Sequence, residues 1–268
     1  MIRVIKLGGR AQSEPELPQR LRDAAAAPHT QLVIVHGGGD EVTALQRQMG
    51  VEPIFVHGRR VTRPEDLDAV RMVLSGTVNK RLVAQGLTAG LRAVGLSGED
   101  AHLLTARVTD PTYGRVGREV HADESLLRDL LAAGWTPFIS PLARDRESPD
   151  GAGLNVNGDD AAAAIAESLG ADELCFVSDV PGVMEEGRIV PTLDRTGIDD
   201  LIARGVAQGG MRAKLEAALV TLHAGVQRVR IAPIAGITDT SSGTSIALGD
   251  ATRISTASAS LDSARSPV

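Results

Sequence analysis

The sequence predicts an α/β fold with a mainly parallel central sheet and helices on both faces. Three observations carry that prediction. Short β-rich runs alternate with longer amphipathic segments along the chain. The runs are largely apolar rather than strictly alternating, the pattern of strands buried on both faces. Two of them end in glycine-rich turns, Gly8-Gly9 and His36-Gly37-Gly38-Gly39, where a bare backbone can take positive φ and receive a ligand. The strand candidates are residues 2–7, 32–35, 93–96, 136–140, 173–177 and 228–232. The helix candidates are 15–26, 40–49, 64–86, 124–133, 159–169, 198–205 and 211–225. At the long segment 64–86, Thr62 reads as a cap, Pro64 as first-turn residue and Glu65 as the acid behind it. Residues 144–153 are charged and hold Pro and Gly, so they read as a hairpin or exposed loop. From Gly249 the chain is rich in Ser, Ala, Thr and Asp without periodicity, and a disordered tail over 249–268 is expected.

Composition narrows the function. The 268 residues suffice for one large domain or two joined lobes, and 43% are hydrophobic. Aromatics are 2%, too few for a base-stacking surface, and the net charge of -6 argues against non-specific nucleic-acid binding. The single cysteine, Cys175, allows neither a disulfide framework nor a cysteine-rich metal site. No signal peptide is expected, and no apolar stretch reaches the roughly 18 residues of a spanning helix. A cytoplasmic protein with no nucleic-acid and no membrane partner follows as the expectation.

The candidate chemistry lies at the turns. Two glycine turns after strands suit an anion that reacts, above all a phosphoryl group. Lys6 beside the first turn can place an ammonium among phosphate oxygens; the bland alternative is a surface lysine. Arg59-Arg60 offers a fork for a carboxylate, against a solvated basic loop. Asn155 and Asn157 point the same way if extended, ahead of Asp159 at a helix start, where plain N-capping is the alternative. Ser178-Asp179-Val180-Pro181-Gly182 can form a nucleotide-facing loop at a strand end, or a simple Pro-Gly turn. Lys214 sits one turn into a helix, where the dipole disfavours a cation unless an anion is near. No Walker A loop and no G-x-S-x-G occur, and the scattered His29, His57, His102, His121 and His223 lack ligand spacing, so no metal ligand is assigned.

Taken in order, Lys6-Leu7-Gly8-Gly9, His36-Gly37-Gly38-Gly39, Gly58-Arg59-Arg60-Val61-Thr62, Val78-Asn79-Lys80, Asn155-Val156-Asn157-Gly158-Asp159, Ser178-Asp179-Val180-Pro181-Gly182-Val183 and Gly209-Gly210-Met211-Arg212-Ala213-Lys214 resemble the amino acid kinase family. The resemblance covers residue 1 to about 248. It implies an αβα three-layer sandwich of two lobes, an N-terminal lobe over 1–168 for the amino-acid substrate and dimerisation and a C-terminal lobe over 169–248 for ATP. It is strongest to the branch that phosphorylates N-acetyl-L-glutamate in arginine biosynthesis. By that resemblance Lys6 and Lys214 stabilise the transferring group and Asp159 positions them. Gly38, Gly39, Arg60, Asn155 and Asn157 would bind the substrate, Arg60 through its α-carboxylate. Gly8, Gly9, Ser178, Asp179, Gly182, Val183, Met184, Val206, Ala207, Gln208, Gly210 and Met211 would face ATP, with Mg2+ held mainly by phosphates. Gly158 stands where the family usually has alanine, with little consequence expected, and the stretch 232–244 is shorter than usual. With no helix ahead of Ile2, an arginine-insensitive homodimer is expected, its contact made by the helix 64–86, whose Leu67, Val70, Val73, Leu74 and Val78 exceed what one face needs. The competing readings are a kinase for carrier-linked aminoadipate or glutamate, disfavoured by Gly39 and by Asn155-Val156-Asn157, and a non-catalytic nucleotide-binding module, disfavoured by the two lysines.

Overall fold

The computed structural model describes residues 1–56, 59–148 and 150–248. Its centre is one sheet of eight strands: β1 (Ile2–Leu7), β2 (Gln31–His36), β5 (Ala93–Ser97), β8 (Thr136–Ser140), β11 (Glu173–Val177), β14 (Thr192–Leu193), β15 (Arg228–Ala232) and β16 (Thr244–Ile246). They lie in the order β14-β16-β15-β11-β1-β2-β8-β5, and only the β15–β16 pair is antiparallel. The six apolar runs of the sequence are the six longer strands of this sheet. β1 sits between β2 and β11, so the sheet grows in both directions from the first strand. The carboxyl ends of these three strands therefore meet at a switch in strand order, where α/β sheets bind ligands.

Helices cover both faces: α1 (Leu17–Ala25), α2 (Gly39–Gln48), α3 (Asp66–Arg71), α4 (Asn79–Thr88), α5 (Ser125–Ala132), α6 (Gly158–Leu169), α7 (Arg195–Ala203) and α8 (Gly209–His223). Alternation along β1 feeds both cores. Val4 packs with α5, α6 and α8, whereas Ile5 and Leu7 pack with α1 and the helices after Asp66. The result is the three-layer sandwich that the resemblance implies. Beside it, β6 (Leu104–Arg107), β7 (Val116–Ala122), β9 (Leu142–Asp145) and β10 (Gly153–Val156) close into a small barrel. The predicted hairpin at 144–153 is the β9–β10 turn of that barrel. Two short hairpins, β3 (Phe55–Val56) with β4 (Arg59–Arg60) and β12 (Met184–Glu185) with β13 (Arg188–Ile189), complete the strands.

Three expectations need correction. Thr62 does not cap the long helix. It is buried, bridges to Gly114 and accepts from Asn155 through Oγ1 at 3.0 Å, while the helix begins at Asp66, whose own carboxylate takes the Arg63 N–H at 3.1 Å. The long helix is not uniform either: a π-helical stretch, Met72–Val78, joins α3 to α4. Finally, Leu67, Val70, Val73, Leu74 and Val78 are not surplus apolar surface, because all five are buried in the chain's own core. On that helix the exposed apolar side chains are Met72 and Leu87. The stretch 232–244 forms a single 3-10 turn, Ile234–Ile237, and leads into β16 at the sheet edge. The expectation of a disordered tail over 249–268, and Gly58 and His57, lie outside the described residues.

Candidate active site

The site forms where β1, β2 and β11 end. Lys6 is the penultimate residue of β1 and points to the face that α6 covers. Asn157 caps α6, its Oδ1 accepting from the Asp159 N–H at 2.8 Å, so Asp159 lies in the first turn, where the helix dipole favours a carboxylate. Asp159 is buried between two ammonium groups: Lys6 Nζ lies 2.8 Å from Oδ1 and Lys214 Nζ lies 3.2 Å from Oδ2. Lys214 also donates to the Gly210 carbonyl at 3.4 Å. The dipole conflict read at Lys214 is thus met by Asp159 itself. Burial opposes ionisation of Asp159, but Lys6 and Lys214 outweigh it and hold its pKa below the ordinary range. Burial lowers the Lys214 pKa, with Asp159 pulling the other way. Two ammonium groups against one carboxylate leave a net positive, water-poor cluster, which suits an incoming polyanion.

The glycine turns frame that cluster. The Gly8 N–H donates to the Val177 carbonyl at 2.9 Å, and a Cβ at Gly8 would sit 2.9 Å from that same oxygen. Gly38 has φ +153° and presses on the π-helical stretch, where a Cβ would meet Leu74 Cδ2 at 2.7 Å. Gly39 opens α2 with nothing within 4 Å of where its Cβ would be. Buried His36 fixes this turn: its Nδ1 is 2.8 Å from the Gly37 carbonyl and its Nε2 is 3.0 Å from Asn79 Nδ2. Asn79 also donates to the Phe138 carbonyl at 2.8 Å. Since the amide donates to Nε2, Nδ1 carries the proton and the ring is neutral; burial pushes its pKa down to about 4. At Gly158 a Cβ would stand 3.1 Å from Lys6 Cε, so alanine there would ask the lysine chain to give by a few tenths of an ångström.

Arg60 reaches the other side of the Gly39 turn. A cavity of about 140 Å3 is lined by Gly38, Gly39, Arg60, Leu74, Asn155 and Gly158, among others. An adjoining cavity of about 210 Å3 shares Arg60 and Asn155 and adds Asn157. The five substrate-side residues therefore share one region, next to Lys6. The nucleotide-side residues divide. Asp179 is exposed and pairs with Arg10 at 3.4 Å, and Gly182 has φ +159°. Val183 and Ala207 are buried, and the Val183 N–H donates to Thr244 Oγ1 at 2.8 Å, so they shape the loops from within. Gln208 is the residue before α8, and Gly210 and Met211 lie in its first turn.

Sequence reasoning missed Gln46, Asp66 and Thr244, and gave no role to His36 or Asn79. Gln46 had a signal: it follows Val42 by four residues on the buried stripe of α2, a polar side chain where an apolar one is expected.

A model of the amino acid kinase family matches residues 1–233. The chain belongs to the amino acid kinase family. Among its relatives in that family, an acetylglutamate kinase of Chloroflexus aurantiacus is 43% identical over 241 residues, covering 89% of this chain and 94% of the relative. A crystal structure from Streptococcus mutans superposes with a TM-score of 0.80 at 31% identity, covering 91% of this chain and 98% of that one. The N-acetylglutamate synthase of Neisseria gonorrhoeae, solved with coenzyme A and N-acetyl-glutamate, superposes with a TM-score of 0.75 at 27% identity; the match covers 92% of this chain but 59% of the synthase.

Proposed function

We propose that this chain transfers the γ-phosphoryl group of ATP to the side-chain carboxylate of N-acetyl-L-glutamate, the phosphorylation step of arginine biosynthesis. The observation that carries the reading is the buried Lys6–Asp159–Lys214 clamp beside two glycine turns. The 43% identity to an acetylglutamate kinase across nearly the whole chain supports the choice of substrate. A carboxylate oxygen attacks the γ-phosphorus, the bond to the bridging oxygen breaks, and ADP leaves. No base is needed, because a carboxylate is ionised at neutral pH. Lys6 and Lys214 neutralise charge on the transferring group from either side, and Asp159 holds both ammonium groups in place. Gly9, Gly38 and Gly39 offer backbone N–H groups to phosphate and substrate oxygens. Arg60 pairs with the α-carboxylate, and Asn155 and Asn157 take the amide region. The loops at 178–184 and 206–211 face the nucleotide. Magnesium arrives with ATP, carried by its phosphates; both oxygens of Asp159 already face lysines. We assign acetylglutamate to residues 1–168 and ATP to 169–248, with the boundary at the end of α6.

The purified protein, given acetylglutamate and MgATP with hydroxylamine as trap, should form the hydroxamate of the acyl phosphate. Lys214→Ala should keep its fold and lose about 100-fold or more in kcat. Turnover only with a carrier-linked amino acid would overturn the substrate, and full activity of Lys214→Ala would overturn the clamp. We further propose a cytoplasmic homodimer, as the resemblance implies, with exposed Met72 and Leu87 on its contact helix. Light scattering should return twice the 28.0 kDa chain mass; the mass of one chain overturns the dimer.

A further inference from the structure

Arg60 is held more firmly than a carboxylate ligand on a surface hairpin needs to be. Its Nη1 donates to Gln46 Oε1 at 2.5 Å, and its Nη2 donates to the Gly39 carbonyl at 2.7 Å and to Thr43 Oγ1 at 2.6 Å. Among the described residues, these bonds engage three of the five guanidinium donors. Burial lowers the Arg60 pKa against the pull of Asp66 and Asp40, yet a guanidinium remains charged. Gln46 is 2% exposed, and an amide that deeply buried must place both of its ends. Its Nε2 donates to Asp66 Oδ1 at 3.1 Å. Asp66, itself buried, is fixed from the far side by Arg63, through Nε at 2.6 Å, Nη2 at 2.9 Å and the backbone N–H at 3.1 Å. Bonds from Arg63 head the causes that hold the Asp66 pKa below its ordinary value, so it is an anion that only accepts.

The polarity of the chain follows from that. An acceptor at Asp66 forces the NH2 end of Gln46 toward it, and Oε1 is left facing Arg60. We propose that Gln46 is a positioning residue: oriented by Asp66, it sets the Arg60 guanidinium so that its remaining donors face the cavity shared with Asn155 and Gly39. The Gly39 and Thr43 bonds tie the same guanidinium to the start of α2, so carboxylate clamp and glycine turn move as one unit. This rests on the reading of Arg60 as the partner of the substrate α-carboxylate, and it adds the element that pre-organises that partner.

The test compares four variants in steady-state kinetics, with folding checked by urea unfolding. Gln46→Met fills the same space without either bond. It should raise KM for acetylglutamate about tenfold, the worth of one hydrogen bond to a charged group, with KM for ATP unchanged and kcat reduced far less. Gln46→Glu keeps an acceptor for Arg60 but sets a carboxylate against Asp66, and should raise the same KM. Gln46→Glu combined with Asp66→Asn restores the donor and acceptor order, because an amide at 66 donates to the carboxylate at 46, and should bring KM back toward the parent value. Arg60→Ala separates the two claims. If it leaves KM for acetylglutamate unchanged, the role of Arg60 falls. If it raises KM while Gln46→Met and Gln46→Glu do not, the positioning role of Gln46 falls. Should Gln46→Met fail to fold, the rescue pair decides: the double variant no better than Gln46→Glu alone overturns the proposal.

Discussion

His36 and Asp159 are both buried within reach of Lys6, and their surroundings push them to opposite charge states. Asp159 faces two ammonium groups and stays ionised. His36 faces the amide of Asn79 and a carbonyl, and burial keeps it neutral with a pKa of about 4. A neutral ring holds the Gly37 carbonyl without adding charge beside the clamp. The same shift couples folding to pH. The unfolded histidine titrates near 6.5 and the folded one near 4, so the unfolded state binds the extra proton between these values. Stability from this group is therefore complete above pH 6.5 and falls as pH drops toward 4, by about 3 kcal/mol in all. Asp159 and Asp66, held below the ordinary 3.8, titrate under that window. Urea unfolding at pH 7, 5.5 and 4.5 should show this decline in the parent and a much flatter profile in His36→Gln. Parallel profiles for the two proteins would remove His36 as the source.

At the scale of elements, legibility followed burial. Runs such as 173–177 are apolar but for Glu173 because both faces of the sheet are covered, and all five side chains of β11 are buried. Two of the runs end in plain glycine turns, and Lys6, Asp159 and Lys214 were singled out through the ordered motifs that resemble the family. The small barrel was not legible. β7 mixes Arg118, Glu119 and His121 with Val116 and Val120, and only part of it is buried, so no uniform run marks it. β14 and β16 hold two and three residues, too short for any period, and exist because β15 offers an edge. The π-helical stretch was invisible for another reason. Its side chains keep a helical apolar pattern, while the extra width comes from backbone bonding, and it brings Leu74 and Val78 against the bare Cα of Gly38. Gln46 and Asp66 received no role because the bonds that join Gln46 to Asp66 and to Arg60 span distant segments; the chain of bonds from Arg63 to Arg60 exists only once α2, α3 and β4 are packed.

For the whole molecule, the net charge of -6 opposes approach of a polyanion, so capture of ATP rests on the local surplus of positive charge at the clamp. A second buried ionic cluster lies at the other end of the same strands. Glu173 on β11 sits between Arg3 of β1, at 2.5 Å, and Arg230 of β15, at 2.7 Å, and all three are buried. The guanidinium groups also bond carbonyls of the turn that closes the sheet edge: Arg3 bonds Ile237 at 3.0 Å, and Arg230 bonds Gly236 at 2.8 Å and Ser242 at 3.0 Å. One carboxylate thus joins the three central strands to the short 232–244 stretch. Arg3 and Lys6 are three residues apart, about 10 Å along β1, and alternation sends them to opposite faces. Stability and catalysis should therefore separate. Glu173→Gln leaves two buried guanidinium groups with no buried counter-charge, which costs about 3–5 kcal/mol. Its urea midpoint should fall accordingly, and amide exchange over 234–243 should quicken, because the bonds to Gly236, Ile237 and Ser242 loosen with the arginines. KM for acetylglutamate, measured well below the new midpoint, should match the parent. An unchanged midpoint would mean that the two arginines are held by the turn carbonyls alone, and a raised KM with normal stability would mean that the strand ends are coupled through the sheet.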